Sequence, residues 1–297
     1  MALAIALMCG LALSASTWAK AQPDAGVEHG VLPARWTPED SDCARAPRLL
    51  VHEYNPTFVI IRQSGCTNFE KPFLYLLFGS KQALLVDTGA TGVRISDVVD
   101  EQLRRHGDRE KTAPLPLLVV HSHGHGDHTA GDDELRRRPA TTLIEARPEA
   151  LSTFFGLQDW PQKPGEYDLG GRVIDVIPIP GHEPASIALY DRRTGNLLTG
   201  DSLYPGRLYV RDASAFVASV ERLVQFTANR NIVHVLGAHI ENTRTPYVDY
   251  PQGTRYQPDE HVLELGRAHL LELQDALSSM GTPLQRRLLR DFTVWPR

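Results

Sequence analysis

The sequence predicts one compact α/β domain, and two features carry that prediction. Apolar runs of strand length alternate with amphipathic stretches of helix length through both halves of the chain. Several of the apolar runs stop abruptly at a turn bearing His or Asp, often with glycine beside it, so those polar groups can gather at one edge of the sheets.

Taken in order, Ala2 to Leu13 is nearly all apolar but too short to span a bilayer comfortably, and Ala19-Lys20-Ala21 is a small-x-small cleavage signal. Residues 1–21 are therefore predicted to be a signal peptide, although no Lys or Arg precedes the apolar run. The mature chain is expected to be periplasmic or secreted and free of the membrane after cleavage. Cys9 is not read as a lipid anchor, because Ala6-Leu7-Met8 lacks the small residues expected before a lipidated cysteine. Residues 22–47 are polar and Pro-rich and are expected to form a loose lead-in to a domain covering 48–297.

Strands are predicted at Leu49–Glu53, Phe58–Arg62, Phe73–Phe78 and Ala83–Val86, punctuated by Asn-Pro, Ser-Gly and Gly-Ser turns. The spacing of Val93, Ile95, Val98, Val99 and Leu103 predicts a helix ending near His106. Leu115–Val120 is wholly apolar, as expected of a strand buried on both faces. Asp132–Arg138 and Pro148–Phe155 read as helices, the second with Pro in its first turn, and Thr141–Ile144 as a strand between them. Val173–Ile179 is a strand, and Ser186–Tyr190 with Asn196–Thr199 forms a hairpin. A helix is expected over Ala213–Ala228 and a strand over Ile232–Leu236. Residues 243–258 read as a loop, with Tyr247, Tyr250 and Tyr256 either shaping a substrate lid or packing on the C-terminal helix. That helix is expected to open at Asp259 or Glu260 and to run to about Ser279.

The formal net charge is −5, which argues against a dedicated nucleic-acid binder, and Arg136-Arg137-Arg138 is too short a run to change that. A small-molecule substrate is the expected partner. Cys43 and Cys66 are the cysteines left after cleavage. An oxidising compartment permits a bridge between them, adding about 3 kcal/mol in the chain-entropy model. The alternative is two unpaired, half-buried thiols.

Residues 121–128 read His-Ser-His-Gly-His-Gly-Asp-His, placing four histidines and one aspartate within eight positions. Hydrogen-bonded turn residues would account for one or two of these histidines, not for the spacing. In extended backbone His123 and His125 fall on one side, and Gly124 and Gly126 let the chain curl so that Asp127 and His128 face the same cavity. Imidazole nitrogens with a carboxylate suit zinc and similar divalent metals.

This cluster, His123-x-His125-x-Asp127-His128, resembles the signature of the metallo-β-lactamase fold superfamily. Four further pieces follow the same pattern: Asp87 in Leu-Leu-Val-Asp-Thr-Gly, His182 in Pro-Gly-His, Asp201 in Thr-Gly-Asp and His239 in Leu-Gly-Ala-His. The resemblance implies a four-layer αββα sandwich holding two divalent metal ions, zinc by preference. By motif position His123, His125 and His182 would bind one ion, Asp127, His128 and His239 the other, and Asp201 would bridge them. It further implies hydrolysis of a carboxylic ester, lactone or thioester by a hydroxide held between the metals, with Asp127 orienting that nucleophile as the catalytic residue. Asp201 points to the glyoxalase-II and lactonase-like branch, since the true β-lactamases carry Cys or Ser there. β-Lactam hydrolysis and an iron-dependent, sulfur dioxygenase-like oxidation are the alternatives on the same ligands. Asp87 and His121 are expected to orient ligands from behind. Tyr204 is read either as a donor to an oxyanion or as a core tyrosine.

Overall fold

The computed structural model describes residues 26–37 and 41–297, and the expected signal peptide lies outside the described residues. The first half contains β1 (Leu49–Asn55), β2 (Phe58–Gln63), β3 (Phe73–Phe78), β4 (Ala83–Val86), α1 (Ile95–Glu110), β5 (Leu117–Val120), α2 (Gly126–Thr129), α3 (Asp132–Arg136) and β6 (Thr141–Leu143). Its six strands form one sheet in sequence order, antiparallel from β1 to β4 and parallel from β4 to β6. The second half begins with α4 (Pro148–Phe155), β7 (Gly165–Asp168), β8 (Val173–Pro178), β9 (Ile187–Asp191) and β10 (Asn196–Gly200). It continues with β11 (Arg207–Val210), α5 (Ala213–Thr227), β12 (His234–Gly237), β13 (Glu264–Leu265), α6 (Arg267–Met280), β14 (Arg287–Leu288) and β15 (Thr293–Pro296). A second six-stranded sheet runs β13-β12-β10-β9-β8-β7, and β11, β15 and β14 form a small third one.

Side-chain alternation builds the layers. On β5, Leu118 and Val120 enter the core between the two large sheets, while Leu117 and Val119 pack outward against Ile95, Val99 and Leu103 of α1. On the other sheet Leu198 and Leu236 point inward, and Leu197 and Val235 meet Phe216 and Val220 of α5 and Leu270 and Leu273 of α6. Helix, sheet, sheet, helix is the resulting order, the αββα sandwich expected from the sequence.

Strand direction then decides where the polar turns go. β4 and β5 are parallel, with Val86 beside Val120, so their C-terminal ends share an edge. β10 and β12 are parallel, and β8 runs the same way because β9 is antiparallel to both β8 and β10. The chain segments carrying Asp87, the histidine cluster, His182, Asp201 and His239 therefore all leave their strands at one edge of the sandwich.

Three expectations change. The lead-in is anchored rather than loose where it is described. Trp36 is buried with its ring against Phe73 at 5.0 Å and His52 at 5.5 Å. The C-terminal helix starts at Arg267, not at Asp259 or Glu260. Glu260 is instead wholly buried: its carboxylate accepts the peptide N–H groups of Trp36 and Thr37 and pairs with buried Arg62 at 2.6 Å. Leu265 is buried on β13, paired with β12, rather than on the helix. The short strands β7, β11, β13, β14 and β15 were not foreseen. Cys43 and Cys66 form a disulfide with their Cα atoms 5.3 Å apart.

Removing Glu260 would leave the Arg62 charge buried without its counter-ion. Glu260→Ala is expected to cost about 3–5 kcal/mol of stability, measured by urea unfolding.

Candidate metal centre

Asp87 follows β4 with φ at +67°, a left-handed conformation unusual for a residue with a side chain. That twist turns its carboxylate under the histidine cluster. Oδ1 accepts the Ser122 N–H at 2.6 Å, and Oδ2 accepts the Ser122 hydroxyl at 2.8 Å and lies 2.9 Å from His128 Nδ1. His121 stays out of the cavity. Its Nδ1 donates to the His128 carbonyl at 3.1 Å and its Nε2 lies 3.2 Å from an Asp132 oxygen, so it supports the turn from behind.

Other imidazoles are held in the same way. His182 Nδ1 donates to the Tyr209 carbonyl at 2.8 Å, and His239 Nδ1 to the Glu70 carbonyl at 2.9 Å. With Nδ1 donating to a carbonyl, the Nε2 atom of each ring points into the cavity. These two carbonyls are functional groups that sequence reading missed, because a backbone acceptor carries no side-chain signal.

Two sets of donors converge. Asp201 Oδ1 lies 3.5 Å from His128 Nε2 and 3.3 Å from His239 Nε2, and Asp127 Oδ2 lies 3.5 Å and 3.4 Å from the same two nitrogens. Metal–ligand bonds of about 2.1 Å in a tetrahedron set neighbouring ligand atoms roughly 3.4 Å apart, so these spacings match. In the second set His125 Nδ1 lies 2.8 Å from His123 Nε2 and 3.1 Å from His182 Nε2, with Asp201 Oδ2 3.9 Å and 3.5 Å from those two Nε2 atoms. All seven sequence-predicted donors are thus brought together, and Asp201 offers one oxygen to each set.

The donor set fits divalent cations on a second ground. His128 Nε2 and Asp201 Oδ1 are buried and form no well-aligned hydrogen bond; they stand 3.5 Å apart, a gap that a shared cation would fill. The charge states are divided to match. Burial holds His123, His125 and His182 below the usual imidazole range, His125 at about 4, so all three are neutral donors. Burial also opposes charge on His128 and His239. Asp87 and Asp201 overcome it at His128, holding it at about 9, and Asp201 and Asp127 do so at His239. Asp127 is held down to about 2, because the His239 and His128 charges outweigh the burial that would raise it.

The sequence profile of the metallo-beta-lactamase superfamily matches residues 69–255. The chain belongs to that superfamily. Among the relatives it matches, the acyl-coenzyme A thioesterase MBLAC2 of Bos taurus is 28% identical over 206 residues, covering 56% of this chain and 72% of the relative. The hydroxyacylglutathione hydrolase of Chromohalobacter salexigens is 28% identical over 226 residues, covering 73% and 81%. A solved metallo-beta-lactamase from Pontibacter korlensis superposes with a TM-score of 0.51 at 15% identity, over 77% of this chain and 99% of the other, a likeness of fold. This chain is an enzyme, a hydrolase of the metallo-beta-lactamase superfamily.

Two further features read from the sequence are placed as follows. Tyr204 is a core tyrosine, since its buried hydroxyl donates to the Arg207 carbonyl and its ring packs 5.6 Å from that of His239. From the 243–258 loop only Gln252 reaches the metal-centre cavity; Tyr250 accepts the Asp259 N–H, and Tyr247 and Tyr256 are exposed.

At neutral pH a cation entering beside His128 must displace the proton on Nε2. Affinity at that position is expected to climb as pH rises toward about 9, with protons released on binding, measured by pH-jump titration of metal into apoprotein. Asp87→Ala removes the acceptor that orients His128 and is expected to weaken that position about 10- to 100-fold, measured by chelator competition.

Proposed function

We propose that this chain is an exported dinuclear metal-dependent hydrolase that cleaves an acyl thioester. The observation that carries the reading is the pair of donor sets sharing Asp201, each within ligand spacing. The bond cleaved is suggested by the relatives, whose names describe hydrolysis of acyl-coenzyme A and of hydroxyacylglutathione, both thioesters.

Zinc suits the imidazole and carboxylate donors. Bound there, two ions would acidify a shared water to a pKa of about 7 and polarise the acyl carbonyl. His123, His125 and His182 stay neutral and hold one position, while Asp127, His128 and His239 hold the other. Asp127 is ionised at any working pH and borders the cavity, so its carboxylate accepts a hydrogen bond from the attacking water and orients it. The Tyr209 and Glu70 carbonyls keep His182 and His239 in the donor tautomer throughout the cycle. Export is supported by the Cys43–Cys66 bridge, a bond that persists in oxidising compartments.

The test is turnover of short acyl thioesters by purified protein with its metal content quantified. Two equivalents of zinc and chelator-sensitive thioester cleavage are expected. Asp127→Asn is expected to lower kcat/KM by about 10²–10⁴-fold. Iron with oxygen consumption, or cleavage of β-lactams and not thioesters, would overturn the reading.

A further inference from the structure

The cavity over the metal centre has a volume of about 160 Å³, room for about five waters. Beyond the metal-facing groups its wall is made by Glu70, Glu241, Gln252, Arg211, Arg297 and the rings of Tyr204 and Tyr209. No aliphatic side chain lines it among the described residues, so a long acyl chain would find nothing to bury against.

Most charges on this wall are already engaged. Glu241 pairs with Arg207 at 2.9 Å and accepts its peptide N–H at 2.7 Å, and the Arg297 guanidinium lies 3.8 Å from the Tyr209 ring centroid. Two are not. The Glu70 carboxylate and the Arg211 guanidinium have no ion-pair partner among the described residues, and they stand at opposite ends of the metal centre. Glu70 adjoins the Asp127–His128–His239 set, since its own carbonyl accepts from His239. Arg211 adjoins the His123–His125–His182 set: its peptide N–H donates to the Gly181 carbonyl at 2.9 Å, next to His182, and its charge depresses His125 and His182. Being separated, the two cannot neutralise each other. A half-buried carboxylate with no cation beside it is suited to an ammonium group. A guanidinium fork is in turn suited to a carboxylate or phosphate.

We propose that Glu70 and Arg211 read a dipolar substrate, an acyl compound with an ammonium on one side of the scissile carbonyl and an acidic group on the other. This rests on the acyl-hydrolase reading and narrows it to small, polar substrates.

Two measurements on the metal-loaded enzyme test it. The first compares kcat/KM for the S-glycyl and S-acetyl thioesters of 3-mercaptopropionate and of 2-mercaptoethanol, which carry both charges, one or neither. The doubly charged thioester is expected to be preferred about 10- to 100-fold over its singly charged partners. E70Q is expected to collapse the glycyl-to-acetyl ratio and R211Q the propionate-to-ethanol ratio, each mainly through KM. Equal turnover of the four by the wild type, or variants that lower all four alike, would overturn the proposal. The second measures calorimetric binding of glycyl-β-alanine against N-acetyl-β-alanine and needs no turnover. Tighter binding of the first, lost in E70Q, is expected, and equal binding overturns the inference. A protein that shows this binding preference but cleaves no thioester would sink the acyl-hydrolase reading and leave the dipolar site standing.

Discussion

Asp201 is the point on which the structure turns. Its two oxygens face two different pairs of imidazole nitrogens, all buried, within 3.9 Å. Such a group can sit there only if strands from both sheets deliver their ends to one edge with little tolerance in position. The backbone shows how close the approach is. Gly200, at φ +51°, lies where a Cβ would come within 2.6 Å of the Ser122 side chain, so the residue before Asp201 has no room for a side chain. Gly237 is as constrained, since a Cβ there would fall 2.3 Å from that of Tyr204. The glycine in Thr-Gly-Asp thus lets the two sheet ends close on each other, and the one in Leu-Gly-Ala-His makes room for Leu203 and Tyr204 beside it.

The electrostatics follow from that crowding. Asp87, Asp127 and Asp201 are gathered in one place, and repulsion among them is relieved by positive charge. In the metal-free protein that charge is protons on His128 and His239, the two rings that face carboxylates most directly. The other three rings face mainly one another, and burial keeps them neutral. The division of protonation between the rings therefore maps the local balance of acid to imidazole, and it shows where a cation must compete with a proton and where it need not.

Much of this was legible in the residues. All seven donors lie just past apolar runs, and the strand–helix alternation places those run ends together. What stayed hidden has physical causes. The Glu70 and Tyr209 carbonyls orient two of the rings, but any residue offers a carbonyl. Arg211 matters by its location over the cavity, which no local pattern encodes. Strands such as β13 and β14, two residues each, are too short to show periodicity and exist because a partner strand is already there. The apolar spacing across Val262 and Leu265 looked helical, yet Glu260 is claimed by Arg62 and the N-terminal segment, so the chain runs extended until Arg267. A contact 198 residues away overrode local propensity.

The segment holding the Glu70 carbonyl on His239 ties the chemistry to the periphery. It is the turn between β2 and β3, and Cys66 bonds it to Cys43 in the lead-in. Lys71, at φ +50° and nearly buried, donates to the Phe69 carbonyl and, at 2.7 Å, to that of Thr254. Burial and the Arg62 charge beside it bring its ammonium down to about 8, so the chain retains a buried cation near its limit of protonation. A neutral side chain would fill the same space at less electrostatic cost. It would not supply donors to two carbonyls at once, one in the β2–β3 turn and one in the 243–258 loop. The lead-in, the disulfide and the 243–258 loop therefore brace the turn whose Glu70 carbonyl orients His239, and the position of that ring depends on contacts well outside the donor set.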